Sequence, residues 1–316
     1  MSDGRGLVVS GSIAQDFVVS PACTLDGDLG GSATYAALAA RHFGPVAVVG
    51  CVGADRATEL RQVLDFADLE RLSVTDAPTY TWRARRASAG ADAETLERFA
   101  GGYEGYRPQP LDRAGPPSIV FLGSCDPDVQ LAVAASAPPG SLLAVDTMDV
   151  FIEQQRREVE RVVGRSVLLF ATERELELLT GTRGVAAAAT QALDAFGLRA
   201  VVIKRGAGGT ILWTADQHRR LPAPAVEVVD PTGAGDTVAG AMLGRLAEIG
   251  GDAPLAAATL VEALQWGMVA AARAISAPGL RGSTATSRDD LAADIVEYSA
   301  RIALSAFPRP GKAGQA

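Results

Sequence analysis

The chain has 316 residues, 48% of them hydrophobic, so it can form a substantial core and intrinsic disorder is not expected. Its net charge of −8, from 37 acidic and 29 basic residues, argues against non-specific binding of nucleic acid. The three cysteines lie far apart without a Cys-x-x-Cys pair, which argues against a structural zinc site and favours a reducing compartment. The N-terminus has no apolar signal core, and the most apolar helical stretch, residues 256–275, contains Glu262 and Arg273. We therefore expect a cytoplasmic protein without a membrane span.

Two segments in the first half of the chain lack the apolar runs of a buried strand. The first covers about residues 17–29 and the second about residues 78–107. Within the second, residues 79–86 alternate polar with bulky side chains, which is typical of a strand exposed on one face. We interpret the two segments as a small sheet that stands apart from the main body.

The second half of the chain alternates short apolar strands with helical segments. The predicted strands are residues 119–122, 142–145, 167–170 and 200–203, followed by a hairpin at 210–213 and 220–221. Continuous apolar strands that alternate with helices indicate an α/β fold, a mostly parallel sheet covered by helices on both faces. Polar residues follow these strands, and they should gather at the carboxyl-terminal edge of the sheet, where ligands bind in open α/β proteins. The last residues, 308–316, are predicted to be a frayed tail.

The most informative motif is Asp-Pro-Thr-Gly-Ala-Gly-Asp-Thr at residues 230–237. It follows an apolar run, and residues 238–249 after it are predicted to form a helix. A glycine-rich turn before a helix directs backbone N–H groups and the positive end of the helix dipole to one point, which forms an anion site. A carboxylate inside such a turn, Asp236, suits the collection of a proton from a nucleophile beside a phosphate. The alternative is that Asp236 is only a helix N-cap and that the glycines only form a turn.

Two motifs in this order make the chain similar to the ribokinase-like (PfkB-type) carbohydrate kinases over nearly its whole length. The first motif is residues 30–44 with the glycine-containing segment 50–55 after it, and the second is residues 230–237. The resemblance implies a ribokinase-like three-layer fold in a single kinase domain, residues 1–316, with the small sheet as its lid. It also implies transfer of the γ-phosphoryl group of ATP to a hydroxyl of a small polyol, a sugar or sugar-like molecule. Neither a GxxxxGK[ST] loop nor a protein-kinase glycine-rich loop is present as a competing phosphate-binding motif.

The resemblance also implies roles for the residues of the second motif. Asp236 would be the base that accepts the proton of the substrate hydroxyl. The charge on the transferred phosphoryl group would be held by the backbone N–H groups of Gly233, Ala234, Gly235 and Asp236. Phosphoryl transfer chiefly requires positioning and charge stabilisation, and a rigid set of N–H groups supplies both.

For magnesium, the resemblance implies two carboxylates that act through bound water, Glu175 and Asp146. Thr172-Glu-Arg-Glu175 occupies the place of the family's Asn-x-x-Glu motif, and threonine has fewer hydrogen-bonding atoms than asparagine. The alternatives are that Glu175 is a solvated acid on a helix and that Asp146 is a helix N-cap. Asp230 and Thr232 could supply oxygens to a monovalent cation such as K⁺.

For ATP, the resemblance implies a loop that covers the phosphates and a separate wall for the adenine. The nucleotide-binding residues are expected to be Lys204, Gly206, Gly209, Thr232, Gly235 and Gly279. A helix at residues 255–275 would form the adenine wall together with Gly279.

For the phosphoryl acceptor, the best candidate is Asp16, because a carboxylate can accept hydrogen bonds from two vicinal hydroxyls. Gly30 and Gly31 would permit close approach of the backbone to the acceptor. Tyr35 stands where many relatives have an asparagine that contacts the sugar, which puts ordinary ribose or fructose specificity in doubt. Trp82 or Arg83 would reach the acceptor from the lid, whose closure excludes water. Alternatively, Trp82 packs within the lid or against the lid of a homodimer partner.

Three classes of function follow from these observations. For a kinase, a sugar is the first choice of acceptor, followed by a cyclitol or a nucleoside, since a base can stack on an aromatic ring. The second class is a catalytically degenerate kinase that serves as a ligand-binding regulator, which only Thr172 and Tyr35 favour. A dehydrogenase is a distant third, because no GxGxxG motif follows the first strand.

Overall fold

The structure, a computed structural model, describes residues 6–112, 115–116, 118–250 and 255–305, with side chains as far as residue 302. The segment predicted to be frayed, 308–316, lies outside these residues. The strands are β1 (Leu7–Ser10), β2 (Ala14–Val19), β3 (Thr24–Gly30), β4 (Val46–Gly53), β5 (Leu72–Thr75), β6 (Tyr80–Arg85), β7 (Glu94–Phe99), β8 (Ile119–Leu122), β9 (Leu142–Asp146), β10 (Leu168–Thr172), β11 (Ala200–Lys204), β12 (Thr210–Trp213) and β13 (His218–Leu221). The helices are α1 (Ser32–Ala40), α2 (Ala57–Val63), α3 (Pro127–Ser136), α4 (Asp149–Gln154), α5 (Arg156–Val163), α6 (Glu173–Thr180), α7 (Val185–Phe196), α8 (Ala234–Ile249), α9 (Ala257–Ala274), α10 (Arg281–Ala285) and α11 (Arg288–Ser305).

Nine strands form the central sheet, in the order β13-β12-β11-β10-β9-β8-β1-β4-β5. Neighbouring strands from β11 to β5 run parallel, and β12 and β13 form the predicted antiparallel hairpin at one edge. One face of the sheet packs Val9, Phe121 and Phe170 against α1, α8 and α9, and the other packs Val120 and Leu169 against helices α3 to α7. The strands are apolar on both faces because both faces are covered. The mostly parallel three-layer α/β fold expected from the sequence is therefore confirmed.

Four strands form a separate, smaller sheet, in the order β3-β2-β6-β7. It consists of two antiparallel hairpins, β2–β3 and β6–β7, joined through the parallel pair β2–β6. This small sheet corresponds to the predicted segments 17–29 and 78–107.

The small sheet differs in extent from those two segments. β2 begins at Ala14, so the sheet starts before residue 17. The residues after β7 return to the main body and form a short 3₁₀ helix, Gly101–Tyr103. The Tyr103 hydroxyl donates to the Gly11 carbonyl oxygen (2.6 Å) and accepts from the Cys51 N–H (3.2 Å). An aromatic residue within a polar segment thus belongs to the main body, because its hydroxyl bonds there to strand β4 and to the connection that follows β1.

Two helices differ from the predicted ones. α8 begins at Ala234 and not at residue 238, so Asp236 lies in its first turn. The sequence of residues 150–163, between β9 and β10, predicts one continuous helix, but the helix is interrupted at Gln155, whose φ of −134° and ψ of 43° are not helical. It therefore forms two short helices, α4 and α5.

Helices α1 and α8 cross at close range because α8 has glycines at the crossing. A Cβ atom at Gly240 would overlap the carbonyl oxygen of Ala36 on α1. At Gly244, a Cβ atom would lie 3.1 Å from the Cα of Ala40, which is tight but not an overlap. The crossing places Tyr35 of α1 directly beside the start of α8.

We expect Gly240→Ala to lower the free energy of unfolding by about 1–3 kcal/mol, because overpacking a rigid contact forces the helices apart. Gly244→Ala is the matched control on the same helix. The close contact of the added Cβ atom with Ala40 is offset by a gain of about 1 kcal/mol in helix propensity, so little net change in stability is expected. Chemical denaturation measures both values, and equal stability of the two variants would contradict the close-contact interpretation.

Candidate active site

The carboxyl-terminal ends of the parallel strands meet the start of α8 at one edge of the central sheet. Asp146 ends β9, Thr172 ends β10 and Lys204 ends β11. Neighbouring parallel strands end on the same side, so these polar groups lie together as expected. The small sheet covers this edge, because Asp16 of β2 lines one pocket with Asp236 of α8.

The first turn of α8 has the geometry of an anion site. Its N-cap is Gly233, in the left-handed conformation with φ of 72°, and a side chain there would also overlap the ring of Tyr35. Only glycine fits this position. The Ala234 N–H donates to the carbonyl oxygen of Pro231 (3.2 Å), so it is turned into the loop. Of the four predicted N–H donors, that of Ala234 is therefore already hydrogen-bonded within the loop.

Asp236 lies in the first turn of α8 and lines the pocket. The helix has Gly233 as its N-cap, without a side-chain hydrogen bond, so the interpretation of Asp236 as an N-cap is wrong. Burial and the charge of Asp146 raise the pKa of Asp236 to about 7, against the opposing effect of Lys204. A carboxyl group with a pKa near neutrality is suited to accept and release a proton.

Lys204 brings a positive charge to the same helix end. A Cβ atom at Gly235 would lie 3.4 Å from the Lys204 amine nitrogen. The amine donates to both carboxylate oxygens of the buried Asp146, at 2.7 and 2.6 Å. Burial lowers the pKa of Lys204, but the charges of Asp146 and Glu175 and the hydrogen bond to Asp146 together outweigh this effect and hold the pKa above its usual value. Asp146 is thus ion-paired, and the alternative that it caps a helix is wrong, since the N-cap of α4 is Met148.

Glu175 and Thr172 cap α6 reciprocally. The Thr172 N–H donates to the Glu175 carboxylate (2.7 Å), and the Glu175 N–H donates to the Thr172 hydroxyl (3.2 Å). Burial raises the pKa of Glu175, although the charge of Lys204 opposes the shift. Glu175 is therefore a partly buried acid near Lys204 and not a solvated one. Thr172 is therefore the N-cap of a capping box with Glu175.

A pocket of about 150 Å³ lies between the start of α8 and the small sheet. Asp16 on β2 is 2% exposed, and the backbone of Gly30 lies against its carboxyl group. Burial and the charges of Asp230 and Asp236 raise the pKa of Asp16 to about 8, although a hydrogen bond from the Gly31 N–H opposes the shift. The raised pKa favours the protonated form of the Asp16 carboxyl group at neutral pH.

Three aromatic side chains line the same pocket: Tyr35, Tyr80 and Trp82. Tyr35 is 1% exposed, and its hydroxyl has no hydrogen-bond partner among the residues that the structure describes. The Trp82 indole N–H donates to the Thr95 hydroxyl (3.1 Å) within the small sheet. Trp82 thus both packs in the small sheet and faces the pocket.

The pocket contains further residues that the sequence analysis did not identify: Ser12, Tyr80, Arg86, Ser124 and Met148. The signal that could have found two of them is the alternation along β6. Tyr80, Trp82 and Arg86 are separated by even numbers of residues, so they share the strand face that meets the pocket.

Asp55 ties the small sheet to the main body. One carboxylate oxygen accepts from the N–H and the hydroxyl of Thr79, at 3.1 and 2.8 Å. The other accepts from the Gln15 amide (2.7 Å). These bonds hold the beginnings of β2 and β6, which gives the carboxylate at the end of the first motif a structural role.

Asp230 joins the loop before α8 to the turn after α9. Its buried carboxylate accepts from the N–H groups of Thr232 (3.0 Å) and Gly279 (2.9 Å). Gly279 therefore lies beside Asp230, next to the candidate site for a monovalent cation.

A second pocket, of about 350 Å³, lies along the helix predicted to form the adenine wall. Its lining comes from α9, α11 and the segment that leads to Asp230, and includes Pro224, Ala225, Val226, Val269, Ala272 and Ser276. Gly206 and Gly209 lie in the turn between β11 and β12, directly after Lys204. Neither glycine lines this pocket or the 150 Å³ pocket.

Two general properties can be stated for the described part of the chain. None of its helices is both long and apolar enough to cross a lipid bilayer. Within the same residues, no three His, Cys, Asp or Glu side chains converge so that they could hold a metal ion directly.

Comparison with known proteins agrees with this geometry. Residues 19–287 match the family described as pfkB family carbohydrate kinase. The cytidine kinase of Thermococcus kodakarensis is 29% identical over 247 residues, which are 75% of this chain and 87% of that protein.

Solved structures share the fold over almost the whole chain. A nucleoside kinase of Methanocaldococcus jannaschii superposes with a TM-score of 0.72 at 19% identity, covering 93% of this chain and 99% of that one. A fructokinase variant of Vibrio cholerae O395, in its fructose-, ADP- and potassium-bound form, superposes with a TM-score of 0.75 at 22% identity, with coverages of 93% and 99%. The chain belongs to the pfkB family of carbohydrate kinases and is an ATP-dependent phosphotransferase that acts on a hydroxyl group of a sugar-like substrate.

Proposed function

We propose that this chain transfers the γ-phosphoryl group of ATP to a hydroxyl of a small polyol, with a sugar as the first candidate. The observation that carries the proposal is the position of Asp236. Its carboxyl group lies in the first turn of α8 and lines the 150 Å³ pocket, and Lys204 lies at the same helix end. A base, an anion site and a cation thus meet beside a pocket of the size of a small polyol.

The proposed transfer begins with the acceptor hydroxyl beside Asp236. Its O–H bond breaks as the proton passes to the Asp236 carboxylate, and its oxygen forms a new bond to the γ-phosphorus. The bond between the γ-phosphorus and the bridging oxygen breaks, and that oxygen leaves with its electrons as part of ADP. A pKa of about 7 allows Asp236 to accept this proton and to release it to water after the product leaves.

Backbone N–H groups and Lys204 would stabilise the charge on the transferred group. The N–H donors are those of Gly233, Gly235 and Asp236, which begin α8 and share the positive end of its dipole. We assign Ala234 a smaller part, because its N–H already bonds to the loop.

Mg²⁺ and K⁺ are proposed at two different sites. Asp146 and Glu175 offer the oxygen ligands that Mg²⁺ prefers, and Mg²⁺ commonly keeps several waters between itself and the protein. The raised pKa of Glu175 supports this site. Burial disfavours the charged form of this carboxyl group, and a nearby cation would stabilise that charged form. When bound, Mg²⁺ would neutralise the phosphates of ATP. Asp230 and Thr232 would supply oxygens to K⁺ next to the anion site.

ATP would place its phosphates at the start of α8 and its base in the 350 Å³ pocket along α9. The two regions are connected through Pro224–Val226 and the loop that continues to Asp230. Lys204, Gly206 and Gly209 would follow the phosphates, as the family resemblance implies. Gly279 would act indirectly, through its hydrogen bond to Asp230.

Asp16 would accept hydrogen bonds from two hydroxyls of the acceptor. Its ionised form is unfavourable in the empty pocket because it is buried near two other acids. Two hydroxyl donors would replace the lost hydration of the carboxylate. Gly30 and Gly31 bring the backbone close to the same group, and Trp82 would cover the acceptor from the small sheet.

A nucleoside or a cyclitol is the second candidate acceptor. Tyr35, Tyr80 and Trp82 offer rings on which a base can stack, and the relatives include a cytidine kinase and a nucleoside kinase. The pocket of about 150 Å³ is small for a nucleoside, so that acceptor would require the small sheet to move outward. The small volume is the reason to place a sugar first.

A ligand-binding regulator without catalysis is the rival of a different class. Thr172 has another explanation than lost catalysis, because its side chain is the N-cap of α6. The cytoplasmic location and the homodimer through the small sheet stay predictions. The exposed Leu96 and Phe99 of β7 are compatible with such a dimer.

We expect Asp236→Asn to reduce turnover by about 10²- to 10⁴-fold, because it removes the base and leaves the positioning groups in place. Coupled ADP release against a panel of sugars, cyclitols and nucleosides identifies the acceptor and measures the loss. Asp128→Asn, an exposed carboxylate in the first turn of α3, is the matched control. If no acceptor releases more ADP than the Asp236→Asn blank, the small-polyol kinase is wrong, and ligand binding without turnover would favour the regulator.

The pKa of Asp16 leads to a second expectation, on stability. The pKa is about 8 in the folded protein against an ordinary value of 3.8. The contribution of this group to stability is therefore complete below pH about 4 and is lost as the pH rises to about 8. Asp16→Asn keeps the size and an acceptor for the Gly31 N–H but carries no charge.

We expect Asp16→Asn to melt a few degrees above the parent near pH 8 and at a similar temperature near pH 4, while acceptor affinity is lost. Thermal unfolding without ligand across this pH range measures the effect. Asp26→Asn is the control, because Asp26 is an exposed carboxylate of β3, the strand that pairs with β2. A variant at position 16 that melts below the parent near pH 8 would contradict the raised pKa.

A further inference from the structure

Among the arginines of the small sheet that the structure describes, Arg86 is the one that lines the pocket. Both Trp82 of β6 and Arg86, directly after the strand, line the pocket. Arg83 and Arg85 lie on the opposite face, where they are exposed and pair with glutamates of β7. The position of Arg86 follows from this alternation.

One end of the Arg86 guanidinium is held by the protein. Nη1 donates to the Ala91 carbonyl oxygen (2.7 Å), and the backbone N–H donates to the Val19 carbonyl oxygen (2.9 Å). Nη2 donates to the hydroxyl oxygen of Thr232 at 3.4 Å, a long bond. Thr232 directly precedes Gly233, so the side chain extends from the small sheet to the start of α8.

The remaining donors of this side chain lack a strong acceptor. Nε of Arg86 is buried and has no hydrogen-bond partner among the described residues. The Tyr35 hydroxyl, in the same pocket, is a second buried group without a hydrogen-bond partner among the described residues. Buried polar groups are nearly always hydrogen-bonded, and a group left without a partner calls for an unseen ligand or water. Both groups therefore indicate that acceptor oxygens belong beside the start of α8.

We propose that Arg86 is a catalytic residue that binds the γ-phosphoryl group while it is transferred. The proposal rests on the kinase function proposed above. Nε and Nη2 lie on one edge of the planar guanidinium and form a fork that matches two oxygens of a phosphoryl group. A guanidinium in this position stabilises the charge that spreads over those oxygens during transfer.

The competing role for Arg86 is to bind an anionic substituent of the acceptor. The contact with Thr232 favours the phosphoryl group, because Thr232 directly precedes Gly233, the N-cap of α8. The two roles differ in what they predict: the first affects the rate of transfer, and the second affects the affinity for the acceptor.

The first test compares Arg86→Ala and Arg86→Lys with Arg85→Ala, whose side chain is exposed on the other face of the sheet. We expect kcat to fall about 100- to 1,000-fold in Arg86→Ala, as for the loss of one oxyanion donor, with little change in the KM of the acceptor. Arg86→Lys should be intermediate, because it keeps the charge and loses the fork. Arg85→Ala should match the parent.

The second test measures binding and needs no turnover. The affinity for MgADP with aluminium fluoride, a mimic of the phosphoryl group in transfer, is compared with the affinity for MgADP alone. We expect Arg86→Ala to weaken the aluminium fluoride complex by about 100-fold, to leave the affinity for MgADP unchanged, and to be partly rescued by free guanidinium ion.

Three results would overturn the proposal. A raised acceptor KM with unchanged kcat would assign Arg86 to the acceptor. A lower melting temperature without a change in either affinity would make it structural. An aluminium fluoride complex of parental affinity would remove it from the transferred group. Failure of the base assignment is distinguishable, because Asp236→Asn would then retain turnover while Arg86→Ala still weakened the aluminium fluoride complex.

Discussion

The buried ion pair between Lys204 and Asp146 is the interaction on which the rest of the site depends. It joins the ends of β11 and β9 across the end of β10, so it fixes three neighbouring strand ends. The same two charges act in opposite directions on the pKa values of Asp236 and Glu175. Removing one partner of a buried pair leaves an uncompensated charge and typically destabilises a protein by about 3–5 kcal/mol. Lys204 therefore supports the fold and the electrostatics of the site together.

A site with this many acids must still accept the phosphates of ATP. Asp16 and Asp236 have pKa values of about 8 and about 7, so protons neutralise much of their charge near neutrality. Lys204 lies on the main body at the start of α8, and Arg86 reaches the same helix end from the small sheet. The opposing charges are thus distributed over the main body and the small sheet, and the proposed phosphoryl site would be electrostatically complete when both are present.

The fold and the centre of the site could be predicted because they depend on patterns local in sequence. Apolar strands that end in polar residues indicate a parallel sheet, and the glycine-rich turn before α8 indicates an anion site. The exact start of α8 was missed, since glycine, aspartate and threonine are poor helix formers and only the left-handed Gly233 shows where the helix begins. Tyr103 and Arg86 were missed for another reason. Their roles come from partners distant in sequence, such as Gly11 for Tyr103 and Thr232 for Arg86.

The attachment of the small sheet at Asp55 has a mechanical consequence. Asp55 holds the beginnings of β2 and β6 through Gln15 and Thr79, and Arg86 stands at the opposite end of β6. At about 3.3 Å per residue, Arg86 lies roughly 23 Å from Thr79, so a rotation of about 10° around the Asp55 end would move the guanidinium by about 4 Å. The small sheet is in this respect a lever arm measured from Asp55, and any tilt about that end would displace Arg86 farther than Tyr80 or Trp82, which lie nearer to Thr79.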